Sequence, residues 1–336
     1  MTAAYLNLSE KELQQRADQA YEIYRSCKVC PHACGIDRTD GETGFCGQED
    51  TLHISSSVQH FGEEPPLVGS NGVGNLFVTA CNLRCDYCQN YQISQEWSAK
   101  TKEAKSETQE SYKKAAAAML RLQEEGVHFI GWVSPSHVVP GLLKSLSLAR
   151  EKGLRLPIIY NTNSYDALET LKLLEGVVDI YLPDLKYADH ETARQLSHIK
   201  SYPEFSREAV LEMFRQVGPL SINKDGLAEK GVLVRHLVLP GQMTSTWETL
   251  CFVALEMSSS VPLSLMSQYR PVHKAASSLD RAITRDEYNQ AIAWANELGF
   301  ESLFLQSLES KVHNLPDFSS PNNPFPLDRT RNSLNV

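Results

Sequence analysis

The sequence predicts an α/β fold, a partial (β/α)6 barrel behind a small N-terminal cysteine-rich extension. Three observations carry this expectation. Six apolar runs of strand length recur between residues 75 and 269, helix-like stretches separate them, and four cysteines crowd a glycine-punctuated segment before them. Runs apolar on both faces, spaced by amphipathic helices, fit a parallel sheet because crossover helices cover its faces. Six units are fewer than the eight of a closed barrel. An open doubly wound sheet fits the same pattern, and periodicity does not separate the two.

In chain order, residues 5–25 place Leu8, Leu13, Ala17, Ala20, Tyr21 and Tyr24 near a helical period and predict one helix. Cys27, Cys30, Cys34 and Cys46, interspersed with Gly35, Gly41, Gly44 and Gly47, predict turns. Strand character from Leu52 to Val58 leads into HFGEEPPLVGSNGVG, a loop or linker. The six runs follow: NLFVTA (75–80), HFIGWV (128–133), PIIYNT (157–162), VVDIYL (177–182), VLVRHLVL (232–239) and PLSLMSQY (262–269). Helices are expected near 106–125, 139–152, 166–175, 204–217, 246–258 and 284–298. The Pro-, Asn- and Ser-rich stretch after about 310 reads as a segment draped on the surface or frayed. These divisions give an extension over 1–70, a core over 71–310 and an irregular tail over 311–336.

The 336 residues are 42% hydrophobic, enough for one large core or two unequal ones. A formal charge of −9 opposes a nucleic-acid partner, whose phosphates attract a basic face. No apolar run approaches the roughly 20 residues of a membrane span. The charged, amphipathic N-terminus lacks the apolar stretch of a signal peptide. A cytoplasmic protein with no membrane partner is expected. There, clustered cysteines serve as metal ligands or catalytic groups more often than as disulfides.

Cys81, Cys85 and Cys88 in ACNLRCDYCQNY are spaced C-x3-C-x2-C and follow the first core run directly. Parallel α/β folds assemble their active sites at this end of the strands. Three thiolates leave one coordination position open. The bland alternative is a zinc knuckle taking a remote fourth ligand, such as Cys251 or a histidine. Tyr87, beside the last of these cysteines, offers a flat face for stacking a base. Cys27, Cys30, Cys34 and Cys46 form C-x2-C-x3-C-x11-C and close a shell of four soft ligands. Zinc and a second iron–sulfur cluster both fit. The rigid knuckle leans toward zinc, and nearness to an electron-consuming site suits a cluster. His32 is a substitute ligand.

The pattern C-x3-C-x-aromatic-C at the end of the first strand resembles the radical S-adenosylmethionine (SAM) superfamily. That resemblance implies a barrel of radical SAM type and a [4Fe–4S] cluster on Cys81, Cys85 and Cys88. It also implies SAM on the free iron, cleaved reductively to methionine and a 5′-deoxyadenosyl radical that abstracts a hydrogen. Together, CKVCPHACGIDR, GETGFCG, HFGEEPPLVG, CNLRCDYCQNYQIS, NTNSYD, DIYLPDLKY, RHLVLPG and MSQYRP look like the PflX-like branch. That branch is related to the pyruvate formate-lyase activating enzymes, and the likeness runs from about residue 20 to 300. It implies a reducing electron donor such as flavodoxin or ferredoxin, and a protein substrate as one class of partner.

Carried over residue by residue, the resemblance puts Asn161, Thr162 and Asp184 in the SAM pocket, with Lys186 beside them. Asn161 stands where the activating enzymes have an aspartate, which lowers the local negative charge. After the second core strand, GWVSPSHVVP lacks the G-G-E-like acid of the superfamily, and Ser134 either takes its position or is a turn residue before Pro135. Arg235 and His236 interrupt an apolar strand, so both are expected to face a polar cavity, with His236 equally readable as a satisfied core histidine. Gln268 and Tyr269 read the same way, Met266 as core, Cys251 as a buried thiol, and Glu63 and Glu64 as a loop cap or solvated charge. Three function classes are in play: a radical SAM enzyme, either activase-like or acting on a small molecule or another side chain; an iron–sulfur electron carrier; and a zinc interaction module.

Overall fold

The structure, a computed structural model, describes residues 2–96, 105–242, 245–308, 315–322 and 324–325. Strands β1 (Ile54–His60), β2 (Val73–Val78), β3 (Phe129–Val133), β4 (Ile158–Thr162) and β5 (Ile180–Pro183) lie side by side in chain order. β1 is antiparallel to β2, and the others are parallel. The two-residue β6 (Ser221–Ile222) runs antiparallel to β7 (Ala228–Val232), which pairs in parallel with β5. Beyond Leu233 the chain continues as β8 (Val234–Leu237), parallel to β9 (Leu263–Met266), which in turn pairs with β10 (Leu303–Leu305). A parallel bridge between Asp184 and Arg235 joins β5 to β8. All six expected core strands are present.

Curvature separates the barrel from an open sheet. Val73 of β2, Phe129, Ile159, Ile180 and Leu233 form one apolar cluster, and Phe304 of β10 packs against it. In a flat sheet, β2 and β10 would lie about 29 Å apart, six spacings of about 4.8 Å. Their meeting in one cluster requires the sheet to curl. The architecture is a partial barrel.

Helices coat the outside. α1 (Glu10–Glu22) starts at a capping box in which Ser9 and Glu12 bond each other's main-chain N–H, so the single helix expected over 5–25 is split. α2 (Pro65–Val68) and α3 (Tyr91–Ser94) are short; α4 (Lys105–Glu124), α5 (Val139–Glu151) and α6 (Leu168–Leu173) follow the expected pattern. α7 (His190–Ser197) was not foreseen, and α8 (Tyr202–Val217) begins two residues early. α9 (Thr246–Phe252) widens into a π turn over Val253–Ser258, and α10 (Arg285–Glu297) completes the set. The outer core between helices and sheet holds Trp132, Tyr112, Met119 and Leu142, all fully buried. No described helix is long and apolar enough to cross a membrane.

Where it is described, the tail is packed on the barrel rather than frayed. Much of 311–336 lies outside the described residues, but Phe318 and Phe325 are buried against Phe77, Ile93 and Val133 at the barrel mouth. Ser56 bonds the Pro321 carbonyl, and Phe318 N–H donates to Gln92. Two phenylalanines in a polar stretch outweigh its composition, because each buries a large apolar surface.

Candidate cluster and cofactor site

The loop after β2 presents Cys81, Cys85 and Cys88 at the C-terminal end of the barrel. Ala80 turns the chain with φ +60°, and its N–H donates to Ile93 O at 2.8 Å, closing the loop at its base. Each sulfur meets a donor. Cys81 Sγ accepts from Leu83 N–H at 3.3 Å and from Asn163 Nδ2 at 3.4 Å. Cys85 Sγ lies 2.9 Å from Ser197 Oγ, and Cys88 Sγ 3.3 Å from Ser94 Oγ. Burial pushes the Cys81 thiol up to about 12 and Cys85 up to about 11, and raises Cys88. Such thiols stay protonated until a metal displaces the proton. Donors already aimed at the sulfurs suit the anionic ligands that replace them, so the residues fit an iron–sulfur cluster.

Tyr87 is buried rather than open for stacking. Its hydroxyl lies 2.6 Å from Tyr187 Oη, which in turn lies 2.7 Å from Ser197 Oγ, and its ring meets Tyr269 edge-on. The unforeseen α7 therefore serves the loop, because its last residue, Ser197, touches both Tyr187 and Cys85.

Inside the barrel, below this loop, is a cavity of about 120 Å³. Carboxamides line it: Gln89, Asn90, Asn161, Gln268 and Gln306. Strand alternation decides which expected residues reach it. Asn161 faces in. Thr162 faces the opposite way, where Oγ1 donates to Asp166 Oδ2 at 2.5 Å, lies 3.0 Å from Ser136 Oγ and accepts from Ser164 N–H at 3.1 Å. Thr162 therefore departs from its expected place in the pocket. Ser134, with φ +56°, donates its N–H to Asn161 O at 2.8 Å; Val133, not Ser134, lines the cavity. Asp184 pairs with Lys186 at 2.8 Å, and burial of Lys186 is outweighed by the negative groups it faces, which raise its pKa.

Glu63 and Glu64 are not solvated charges. Both are buried and pair with Arg235, and Glu63 also accepts from Asn75 Nδ2 at 2.8 Å. Gly131 leaves the room this requires, since a Cβ there would lie 2.0 Å from Asn75 Oδ1. His236, by contrast, is a satisfied core histidine. Nδ1 lies 2.7 Å from Leu185 O, and Nε2 3.0 Å from Thr246 Oγ1. Tyr269 donates to Leu279 O and Gln268 to Gln89, while Met266 borders the cavity and Cys251 is half-buried on α9.

Cys27, Cys30, Cys34 and Cys46 line one small cavity with His32, Arg38 and His137. His32 Nε2 lies 2.9 Å from Asn82 O, stacked on Phe45, so it bridges to the neighbouring loop. Arg38, Asp166 and Ser197 were missed in the sequence. Asp166 ends the NTNSYD stretch and was legible there, whereas nothing local marks Arg38 or Ser197 as buried. Among the described residues, no three Cys, His, Asp or Glu side chains converge on a single-ion position.

The model of the radical SAM superfamily matches residues 75–252, from β2 through α9. An uncharacterized protein of Methanocaldococcus jannaschii is 28% identical over 87% of this chain and 80% of its own length. A second uncharacterized protein of that organism is 26% identical over 74% of this chain and 71% of its own. Among solved structures, a radical SAM methyltransferase from Sphaerobacter thermophilus is similar at TM-score 0.45 and 13% identity, covering 69% of this chain and 65% of that one. HydG, a maturase of the [FeFe]-hydrogenase, is similar at TM-score 0.47 and 12% identity, covering 89% and 64%. The chain spans slightly less than two thirds of each of these two proteins. The match covers more than half of the chain and contains the three-cysteine loop: the chain belongs to the radical SAM superfamily, whose enzymes use a [4Fe–4S] cluster to cleave SAM.

Proposed function

We propose that this enzyme generates a 5′-deoxyadenosyl radical for hydrogen abstraction and resembles the glycyl-radical-enzyme activases of the PflX-like branch. When bound, the cluster and SAM supply a one-electron cleavage of the sulfonium to methionine and that radical. The residues set the conditions for it. Cys81, Cys85 and Cys88 hold three irons, leaving the fourth for SAM. Asn161 and Asp184 contact SAM from the ends of β4 and β5, and the Ser134 main chain holds the Asn161 carbonyl in place. Tyr87 packs the cluster loop from behind. Lys186 lends positive charge beside the thiolates, and the buried wall of tyrosines excludes water. A low-potential one-electron donor such as flavodoxin or ferredoxin supplies the electron.

The observation that carries this reading is three donor-served thiols on one loop over a carboxamide-lined cavity. A second reading, modification of a small molecule, is favoured by the phenylalanines packed across the mouth. The shared chemistry is tested by incubating anaerobically reconstituted, dithionite-reduced protein with SAM. Methionine and 5′-deoxyadenosine are expected, and a chain with Cys81, Cys85 and Cys88 all changed to Ala is expected to form neither. SAM cleavage by that triple variant would overturn the proposal.

A further inference from the structure

We propose that Cys27, Cys30, Cys34 and Cys46 hold a second [4Fe–4S] cluster packed directly against the first. The site is independent of the SAM reading. The loop is built to bring four cysteines to one cavity, Cys27 and Cys30 buried, Cys46 half-buried and Cys34 at the exposed edge. Cys27 N–H donates to Ile36 O at 2.8 Å, and Gly35 N–H returns to Cys27 O at 3.0 Å. Ala33 N–H closes a turn on Cys30 O, as Gly47 N–H does on Gly44 O. Gly44 admits no side chain, because a Cβ there would lie 2.7 Å from Cys34 Sγ.

Arg38 points to the charge of the proposed centre. It is fully buried beside Cys27 and Cys46, its guanidinium carbon 4.1 Å from the Tyr24 ring centroid. Its guanidinium donates to the main-chain oxygens of Glu49 and His137, which are neutral acceptors. A buried cation is costly unless negative charge faces it. Four thiolates around a cluster core carry net negative charge and supply it.

The choice of cluster over zinc rests on position. The four thiols line one cavity beside the loop of Cys81, Cys85 and Cys88, where family membership supplies a cluster. A centre next to an electron-consuming site is suited to carry electrons.

Two short bridges join the sites. His32, between Cys30 and Cys34, reaches the carbonyl of Asn82, the residue after Cys81. Arg84, the residue before Cys85, donates Nη2 to the carbonyl of Phe45, the residue before Cys46, at 2.8 Å. Each bridge therefore spans from beside a ligand of one site to beside a ligand of the other.

The test is metal analysis and electron paramagnetic resonance (EPR) on the full chain, reconstituted anaerobically with iron and sulfide and reduced with dithionite. About eight irons per chain are expected, with two cluster signals broadened by each other. Cys34→Ser combined with Cys46→Ser should leave about four irons and a sharpened signal. The chain carrying Cys81→Ala, Cys85→Ala and Cys88→Ala should also keep about four irons, which covers the case where the first variant does not fold. About four irons and one zinc in the intact chain would overturn the proposal, as would a triple variant without iron. Two signals with no mutual broadening would overturn the placement. SAM cleavage surviving any of these failures leaves the proposed function standing, whereas its loss from a chain holding about eight irons counts against that function alone.

Discussion

Arg235 enters the barrel from β8 and meets two carboxylates from a loop more than 170 positions earlier in the chain. Removing the guanidinium would leave two buried carboxylates facing each other, and breaking such a pair costs about 3–5 kcal/mol. Arg235→Ala is therefore expected to lower the unfolding free energy by that amount, read by denaturant titration. A loss under about 1 kcal/mol, the range of exposed pairs, would contradict the buried triad. The same groups fix an acid response. Burial alone would raise the Glu63 carboxyl, but Arg235 and then His60 outweigh it and hold it at about 2, against 4.5 when unperturbed. A folded value below the unfolded one means stability present above about pH 4.5 and lost as the pH falls through about 2. Burial holds His137 and His236 at about 4, so their contribution is present above pH 6.5 and lost earlier, as the pH falls toward 4. His236→Gln should flatten the decline of stability between pH 6.5 and 4, and an unchanged slope would contradict the neutral, buried assignment. The sequence marked Arg235 as a residue needing a partner but could not name it, because pairing across that separation is decided by the fold.

Strand alternation does at the element scale what single residues cannot. Asn161 and Thr162 are adjacent in sequence, but the period of two puts one in the cavity and the other against Asp166. A motif read as a string treats them alike. Thr162→Val keeps the shape and removes the hydroxyl from Asp166, Ser136 and Ser164. Leaving Asp166 short of a buried partner is expected to cost about 1–3 kcal/mol with little change in SAM binding. Asn161→Ala should do the reverse, weakening SAM binding while leaving stability nearly intact. Isothermal titration and denaturant curves on both variants check this, and a swapped pattern would contradict the alternation. The six core strands were legible because parallel strands are apolar on both faces and stand out from amphipathic helices. α7 was not, since eight residues give too few turns for a period to register, and its role depends on Ser197 reaching Cys85.

For the whole molecule, the N-terminal cysteine segment and the described C-terminal residues gather at the barrel mouth. The N-terminal cysteine segment packs beside the cluster loop through His32 and Arg84, and Pro316 and Phe325 of the described C-terminal residues line the cavity, with Phe318 packed against Phe325. The cavity beneath is about 120 Å³, while pockets for ligands of moderate size run to about 300 Å³ or more. Replacing both phenylalanines with Ala is expected to speed SAM association several-fold in stopped-flow binding, and an unchanged rate would show that these rings do not restrict entry. Composition pointed away from this closure, because the tail is polar on average and Phe318 and Phe325 carry the apolar packing among its described residues. The central claim is that three cysteines hold a cluster whose open iron takes SAM. It is tested most directly by the EPR spectrum of the reduced protein before and after SAM is added. A shift of the signal assigned to Cys81, Cys85 and Cys88, present in the Cys34→Ser and Cys46→Ser chain, is the predicted result. A spectrum unmoved by saturating SAM would contradict it.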